Sequence, residues 1–124
     1  MNSLIEEIFD NFIVNNVSIP VSFLRYTGNK TTYVIYNQLQ IDTTFYGDNE
    51  LLSYMDYYDF DIYSKGNYLE IVKELKNILE QNGFLWQPSM TSSDMYEDDT
   101  GYFHKTLCFA IERNNKITEV IPSV

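Results

Sequence analysis

The chain has 124 residues, of which 44% are hydrophobic and 16% aromatic, so it can bury one core and does not have the composition of a disordered segment. Its net charge of −10 disfavours binding to nucleic-acid phosphates, and its single cysteine excludes an internal disulfide and a multi-cysteine metal site. No apolar run is long enough to cross a bilayer, and the acidic N-terminus does not have the pattern of a secretory signal. We expect one domain, spanning 1–124, that is made in the cytoplasm and not exported.

The first predicted element is a helix. Ser3 and Glu6 have the spacing of a capping box, and apolar residues recur at helical spacing between positions 4 and 13. We expect this helix to continue to the polar pair at 15–16.

A predicted hairpin follows the helix. Segments 19–25 and 31–40 are rich in β-branched and aromatic residues, and YTGNK between them has the composition of a turn. In the next stretch, TTFYGDNELLSY, residues 47–49 (Gly-Asp-Asn) interrupt any regular pattern, which predicts an irregular excursion at the sheet edge.

A further strand is predicted over 54–63. Apolar and acidic residues alternate towards its end, which indicates a half-buried strand with Asp59 and Asp61 on the face opposite Phe60.

The segment SKGNYLEIVKELKNILEQNGF predicts an amphipathic helix. Asn67 and Glu70 are suited to cap its start, and Gly83 is suited to end it. The opposite side carries charges of both signs and should be solvated. The apolar stripe consists of Tyr68, Ile71, Val72, Leu75, Ile78 and Leu79.

The rest of the chain predicts a short strand through FLWQP, an acidic loop and a strand over 103–112, with a flexible tail over 114–124. The fold class is therefore α+β: an antiparallel sheet with two main helices on one face, in the order α-β-β-β-α-β-β.

Residues with possible chemistry gather near the stretch DMYEDDTGYFHK. Its carboxylates could bind calcium, but their spacing is not that of an EF-hand loop, and a polar loop is the simpler interpretation. His104 could act as a general base, but no motif supplies a nucleophile for it, so we expect it at a surface or an interface. Cys108 suits a small apolar strand position. These two residues lie roughly 13 Å apart on an extended strand, too far for proton transfer. We expect no enzyme, no metal and no cofactor.

Tyrosine is unusually frequent, and its amphipathic ring is common at protein interfaces. Of five such tyrosines, we expect about half to be buried in the core and the others to form a surface that binds a partner. The group consists of Tyr54, Tyr57, Tyr58, Tyr63 and Tyr68.

Three segments in order, YGDNELL, DFDIYSKGNYLEIVKELKNILEQNGF and DMYEDDTGYFHKTLCFAIER, resemble the tail terminator, or tail completion, proteins of phages with long non-contractile tails. The resemblance spans about 20–113. It implies a structural protein that caps the tail tube, ends its polymerisation and offers a surface for head joining. It also implies a ring, commonly of six subunits, with the tail tube protein and the head completion or connector protein as partners. Such a protein is located at the head-proximal end of the virion tail and, during assembly, in the host cytoplasm.

A ring around a DNA path should not hold phosphates, and a net charge of −10 per subunit suits that requirement. No stable nucleic-acid or membrane binding is expected. Two alternatives share the acidity: a head-tail connector of the same virion, and a DNA mimic that inhibits a host DNA-binding protein. Loops at sheet ends are the candidate interface sites. Their residues are Thr27, Gly28, Asn29 and Lys30; Phe45, Tyr46, Gly47, Asp48, Asn49 and Glu50; and Asp94, Met95, Tyr96, Glu97, Asp98, Asp99 and Thr100.

Overall fold

The computed structural model describes residues 2–39, 44–47 and 50–114. The helices are α1 (Asn2–Ile8) and α2 (Leu69–Gln81), with a short 3₁₀ helix at Pro88–Met90. The strands are β1 (Ile13–Val14), β2 (Val17–Ser18), β3 (Val21–Phe23), β4 (Thr32–Leu39), β5 (Thr44–Gly47), β6 (Glu50–Ser64), β7 (Leu85–Trp86), β8 (Met95–Glu97) and β9 (Tyr102–Asn114).

The main sheet has seven strands. Its strand order is β3-β4-β6-β9-β7, with β5 on the free part of β6 and β8 on the outer edge of β9. All pairs are antiparallel except β3 with β4. The predicted class, a mixed α+β domain with two α-helices, is confirmed. The predicted order α-β-β-β-α-β-β differs from the structure, because within the described residues six strands precede α2 and three follow it.

The predicted hairpin over 19–40 is wrong. β3 and β4 lie parallel, with Val21 opposite Val34, so segment 24–31 must return the chain to the start of β3. Leu24 begins this return with a left-handed φ of 67°, while its N–H still bonds to the Tyr36 carbonyl at 2.9 Å. A parallel connection this short is possible because β3 is only 3 residues long.

The first helix is shorter than predicted. It ends at Ile8, and the chain then forms a tight hairpin of β1 and β2. Asn15 and Asn16, expected at the end of the helix, are the two central residues of that turn and have φ of 51° and 66°. Asparagine tolerates this left-handed region, and two such residues form the turn type that suits a two-residue hairpin.

The predicted irregular excursion is largely regular structure. β5 and β6 form a hairpin that pairs Thr44 with Tyr54 and Gly47 with Glu50, with one register shift after Phe45. The strand predicted over 54–63 is therefore part of a longer strand of 15 residues. Positions 48 and 49 of the predicted excursion lie outside the described residues.

Helix α2 follows the prediction closely. Its N-cap position is Tyr68, and the neighbouring Asn67 side chain accepts a hydrogen bond from the Leu69 N–H at 3.0 Å. At its end, Gly83 has a φ of 89°, and the Phe84 N–H bonds to the Leu79 carbonyl at 3.0 Å. This closing bond is the reason for a glycine here.

One face of the sheet, the helix face, carries the core. Both helices contribute to it: Phe9, just after α1, lies 6.0 Å from Phe60 between ring centres, and Leu75 and Leu79 of α2 are fully buried. The strands contribute Val34, Tyr36, Tyr58, Phe60, Ile62, Leu107 and Phe109, each at most 1% exposed. The predicted alternation in β6 is thus confirmed.

Candidate functional site

The second face of the sheet, opposite the helices, collects the polar and aromatic residues of the same strands. Alternation sends every other residue of β4, β6 and β9 to this side, and the register then aligns them in rows across the sheet. The rows are Tyr33, Tyr63 and His104; Ile35, Asp61 and Thr106; and Asn37, Asp59 and Cys108. The α2 side chains pack on the opposite face, while the 3₁₀ helix Pro88–Met90 contacts β9.

The first row is a stack of rings, which we call the aromatic row. Tyr33 stacks on Tyr26 at 4.6 Å and on Tyr63 at 5.1 Å, and Tyr63 stacks on the His104 ring at 4.2 Å. Tyr102 closes the row with edge contacts to Tyr33 and Tyr63 at 6.0 and 6.3 Å. Rings from the loop after β3, from β4, from β6 and from β9 thus form one half-buried surface.

The two central hydroxyls of the aromatic row, those of Tyr33 and Tyr63, stay protonated at neutral pH because their pKa values are raised. Burial, followed by the neighbouring Tyr102 and Glu97, raises the pKa of Tyr33, and burial followed by Asp61 raises that of Tyr63. Lys65 places its ammonium 5.1 Å from the Tyr102 ring centre. The ring faces can therefore receive a cationic side chain, as Tyr102 already does.

Asp61 connects the aromatic row to the second row. Its Oδ1 accepts a hydrogen bond from the Thr106 hydroxyl at 2.5 Å and lies 3.5 Å from His104 Nε2. The same Nε2 is 3.5 Å from the hydroxyl. In a catalytic triad the histidine separates the hydroxyl from the carboxylate, whereas here the hydroxyl proton goes directly to the carboxylate. The group therefore fixes strand pairing and does not activate a nucleophile.

The third row holds a thiol in its neutral form. Cys108 is fully buried and hydrogen-bonded to Asp59, and burial together with that carboxylate raises the pKa of the thiol to about 12. Burial, followed by Asp61, raises the pKa of Asp59, although the bond to Cys108 opposes this. Because the thiolate is the nucleophilic form, this arrangement does not supply a reactive cysteine.

The acidic stretch is more ordered than the predicted loop. Met95 to Glu97 form β8, and residues 98–101 form a turn in which the Gly101 N–H bonds to the Glu97 carbonyl at 2.8 Å. Gly101 has a φ of 77°, which favours glycine. The Thr100 hydroxyl donates to Glu97 Oε1 at 2.8 Å. Within the described part of the chain, no three carboxylate, histidine or cysteine side chains converge on a possible metal position.

Asp94 anchors the start of β8 to its surroundings. It accepts hydrogen bonds from the Tyr68 hydroxyl and from Lys105 Nζ, the latter at 3.2 Å. These bonds lower the pKa of Asp94, while burial and the bond to Asp94 raise the pKa of Tyr68 to about 12. The contact ties the acidic stretch to the start of α2.

Two of the three predicted interface segments lie at the same end of the sheet. The turn 27–30 precedes β4 and the turn 98–101 precedes β9, and Thr32, Ser64 and Phe103 are level in the register. The Tyr26 hydroxyl accepts a bond from the Lys30 N–H at 3.0 Å, and its ring occupies the space that a side chain at Gly28 would need. Of the third segment, residues 45–47 and 50 belong to the β5–β6 hairpin at the other end, and residues 48–49 lie outside the described residues.

The aromatic row was not recognisable from the sequence. Tyr63 was a candidate interface residue and His104 was expected at a surface or an interface. Their stacking depends on the register of β4, β6 and β9, which no local pattern specifies. The available signal is a tyrosine at one end of each strand: Tyr33 near the start of β4, Tyr63 near the end of β6 and Tyr102 at the start of β9.

No family model matches this chain, and no curated protein matches it significantly. In the described residues, no helix is long and apolar enough to cross a membrane.

Proposed function

We propose that this chain is a structural protein of the phage tail terminator class. It caps the tail tube, ends tube polymerisation and provides the surface on which the head completion or connector protein joins. Its partners are the tail tube protein, the head-side protein and further copies of itself in a ring. It works at the head-proximal end of the tail.

The second face of the sheet carries this proposal. One face is closed by both helices, while the other presents half-buried tyrosines in a row with carboxylates beside them. Tyrosine is enriched at protein interfaces, where an apolar body and a polar tip are both useful. The paired hydroxyl and the neutral thiol of this face support recognition more than catalysis.

The charge of the chain also supports the proposal. A ring of subunits with a net charge of −10 each would repel DNA phosphates and let DNA pass without adhesion. A DNA mimic would share the charge, but Asp59 and Asp61 of this face lie beside stacked rings and do not form an extended surface of carboxylates.

The test mixes the protein with its cognate tail tube protein and records tube lengths by negative-stain electron microscopy at increasing amounts of the capping protein. We expect shorter tubes that bear an extra ring at one end. Tubes of unchanged length with bare ends would contradict the capping role. Capture of the head-side protein alone would favour the connector, and competition with DNA for a host protein would favour the mimic.

A variant tests whether the second face is the contact surface. Tyr102→Ser removes a ring at the border of the aromatic row, and Lys73→Gln changes an exposed residue on the solvated side of α2. We expect the first variant, but not the second, to leave tubes long while both keep the circular dichroism of the wild type. Equal capping by both variants would remove the aromatic row from the contact.

A further inference from the structure

The two opposite edges of the sheet carry exposed apolar residues of a kind that a folded monomer usually buries. β3 forms one edge, and β8 extends β9 at the other, four strand spacings away, which is roughly 19 Å. Both edges lack a neighbouring strand among the described residues. Exposed strand edges readily pair with another chain, and proteins usually protect them.

The β8 edge borders an apolar groove of about 600 Å³ next to the start of α2. The groove is lined by Leu69, which is 62% exposed, by Met95 and Tyr96, and by the Phe103 ring, which lies 4.9 Å from that of Tyr96. Tyr96 and Phe103 point to the helix side of the sheet, since Phe103 is level with Ser64 and pairs with Tyr96. The groove therefore opens along the edge of the sheet on its helix side.

The β3 edge presents the opposite shape, an apolar projection. Phe23 and Leu24 are 42% and 62% exposed. Phe23 also lies on the helix side, because it is level with the buried Tyr36 and its ring lies 5.4 Å away. In a sheet that continued from one copy to the next, Phe23 of one copy and Tyr96 of the other would share the same face.

Charges at the two edges are complementary. Exposed Arg25 directly follows the β3 projection in the chain, while Asp94 lines the groove and Asp98 and Asp99 follow β8, all exposed. In a chain with 18 acidic and 8 basic side chains, an exposed arginine next to an exposed apolar patch is a specific feature. Complementary charges at this kind of border set register and orientation between partners.

We propose that the occupant of the groove is a second copy of this chain, whose Phe23–Leu24 projection enters beside β8 with Arg25 against the acidic turn. The contact joins two different surfaces, so one copy of the pair keeps a free groove and the other keeps a free projection. Contacts of this type close into a ring or extend as a filament. The inference rests on the proposed ring and names the surfaces that build it, and it leaves the second face free for the tube.

Site-specific cross-linking tests the contact even when association is weak. Leu24→Cys and Met95→Cys each place an accessible thiol on one of the two surfaces, while the buried Cys108 provides a wild-type background. A short bismaleimide linker is added to each variant alone and to their mixture. We expect a cross-linked dimer in the mixture and none above background with either variant alone.

Other patterns would overturn the inference. Dimers from Leu24→Cys alone would mean that two β3 edges meet, and dimers from Met95→Cys alone would mean that two grooves meet. No dimers in any sample would mean that something other than a second copy covers the groove. A chain with both cysteines should give a ladder of products whose upper limit is the number of subunits in a closed ring.

Charge reversal tests the choice of partner surface. Arg25→Glu in the Leu24→Cys chain should lower the yield of the mixed dimer at least about tenfold, because it places like charges together. Asp98→Lys with Asp99→Lys in the Met95→Cys chain should restore it. Lys73→Glu in the Leu24→Cys chain, with the same change of charge on an exposed side of α2, should leave the yield unchanged. An unchanged yield with Arg25→Glu would overturn the pairing.

The two proposals fail in different ways. Mixed dimers with tubes of unchanged length would support this contact and reject tube capping. The opposite result is shortened tubes with no mixed dimers, either in the free protein or on the capped tubes. It would reject this contact and leave the capping role intact.

Discussion

The two faces of the main sheet are built from the same strands and have opposite properties. On the helix face, Phe60, Leu75 and Leu107 are fully buried, in contact with other apolar groups. On the second face, Asp61 and His104 are partly exposed and bond to each other and to Thr106. Stability therefore comes mainly from the first face, since burial of apolar area is the larger contribution, and the second face remains available for recognition.

The largest expected effect is on the helix face. Leu75→Ala removes a fully buried side chain from the contact between α2 and the sheet. We expect it to lower the free energy of unfolding by about 2–5 kcal/mol, because the lost burial is combined with a cavity. Urea denaturation followed by circular dichroism measures this difference.

Leu69→Ala is the matched control, since it changes the same residue type in the same helix at a position that is 62% exposed. Its cost should stay below about 0.5 kcal/mol. Equal costs for the two variants would contradict the assignment of α2 to the core.

The helix face was largely predictable because local periodicity determines it. The stripe of α2 and the alternation of Tyr58, Phe60 and Ile62 appear in the sequence at the spacings of a helix and a strand, and the structure buries them as expected. The end of α2 near Gly83 was equally predictable, since the left-handed conformation that ends a helix favours glycine.

The predicted secondary structure is wrong where a short segment is compatible with two different structures. The apolar residues before Asn15 suit a helix, but the pair Asn15-Asn16 also suits a two-residue turn, and the hairpin of β1 and β2 forms instead. Likewise, YTGNK is a turn, but only the pairing of Val21 with Val34 decides that the strands around it are parallel. Register between distant strands also creates the aromatic row, so the candidate site was less predictable than the core.

An intermediate effect is expected from the polar network of the second face. Thr106→Val keeps the shape of the side chain and removes the hydroxyl that donates to Asp61 at 2.5 Å. The carboxylate then loses its shortest bond in a half-buried position, which should cost about 1–2 kcal/mol. The same urea titration measures it.

Thr100→Val is a suitable control because the Thr100 hydroxyl also donates to a carboxylate, that of Glu97, but in an exposed turn. Water can replace that bond, so the cost should be less than about 0.5 kcal/mol. If Thr100→Val were the more costly change, the network around Asp61 would have no special part in holding the strands together.

The smallest expected effect on the free energy of unfolding is a stabilisation, and it concerns Asp59. Burial raises the pKa of Asp59 above 3.8, so the folded state binds this proton more tightly than the unfolded chain does. Stability from this group is present below pH 3.8 and is lost as the pH rises through the raised folded pKa. Asp59→Asn should therefore stabilise the fold at pH 7, by less than about 1 kcal/mol because the carboxylate is only half-buried.

The pKa of Asp94 is shifted in the opposite direction to that of Asp59. The Tyr68 and Lys105 bonds lower its pKa, so its contribution is present above the ordinary pKa and is lost as the pH falls through the lowered one. Asp94→Asn should thus reduce the urea midpoint at pH 7, while Asp59→Asn should increase it, and both differences should vanish at low pH. Urea midpoints between pH 2 and pH 7, a range set by these two pKa shifts, test both signs. If Asp59→Asn were destabilising at pH 7, Asp59 would be a stabilising partner of Cys108, and the second face would contribute to stability as well as to recognition.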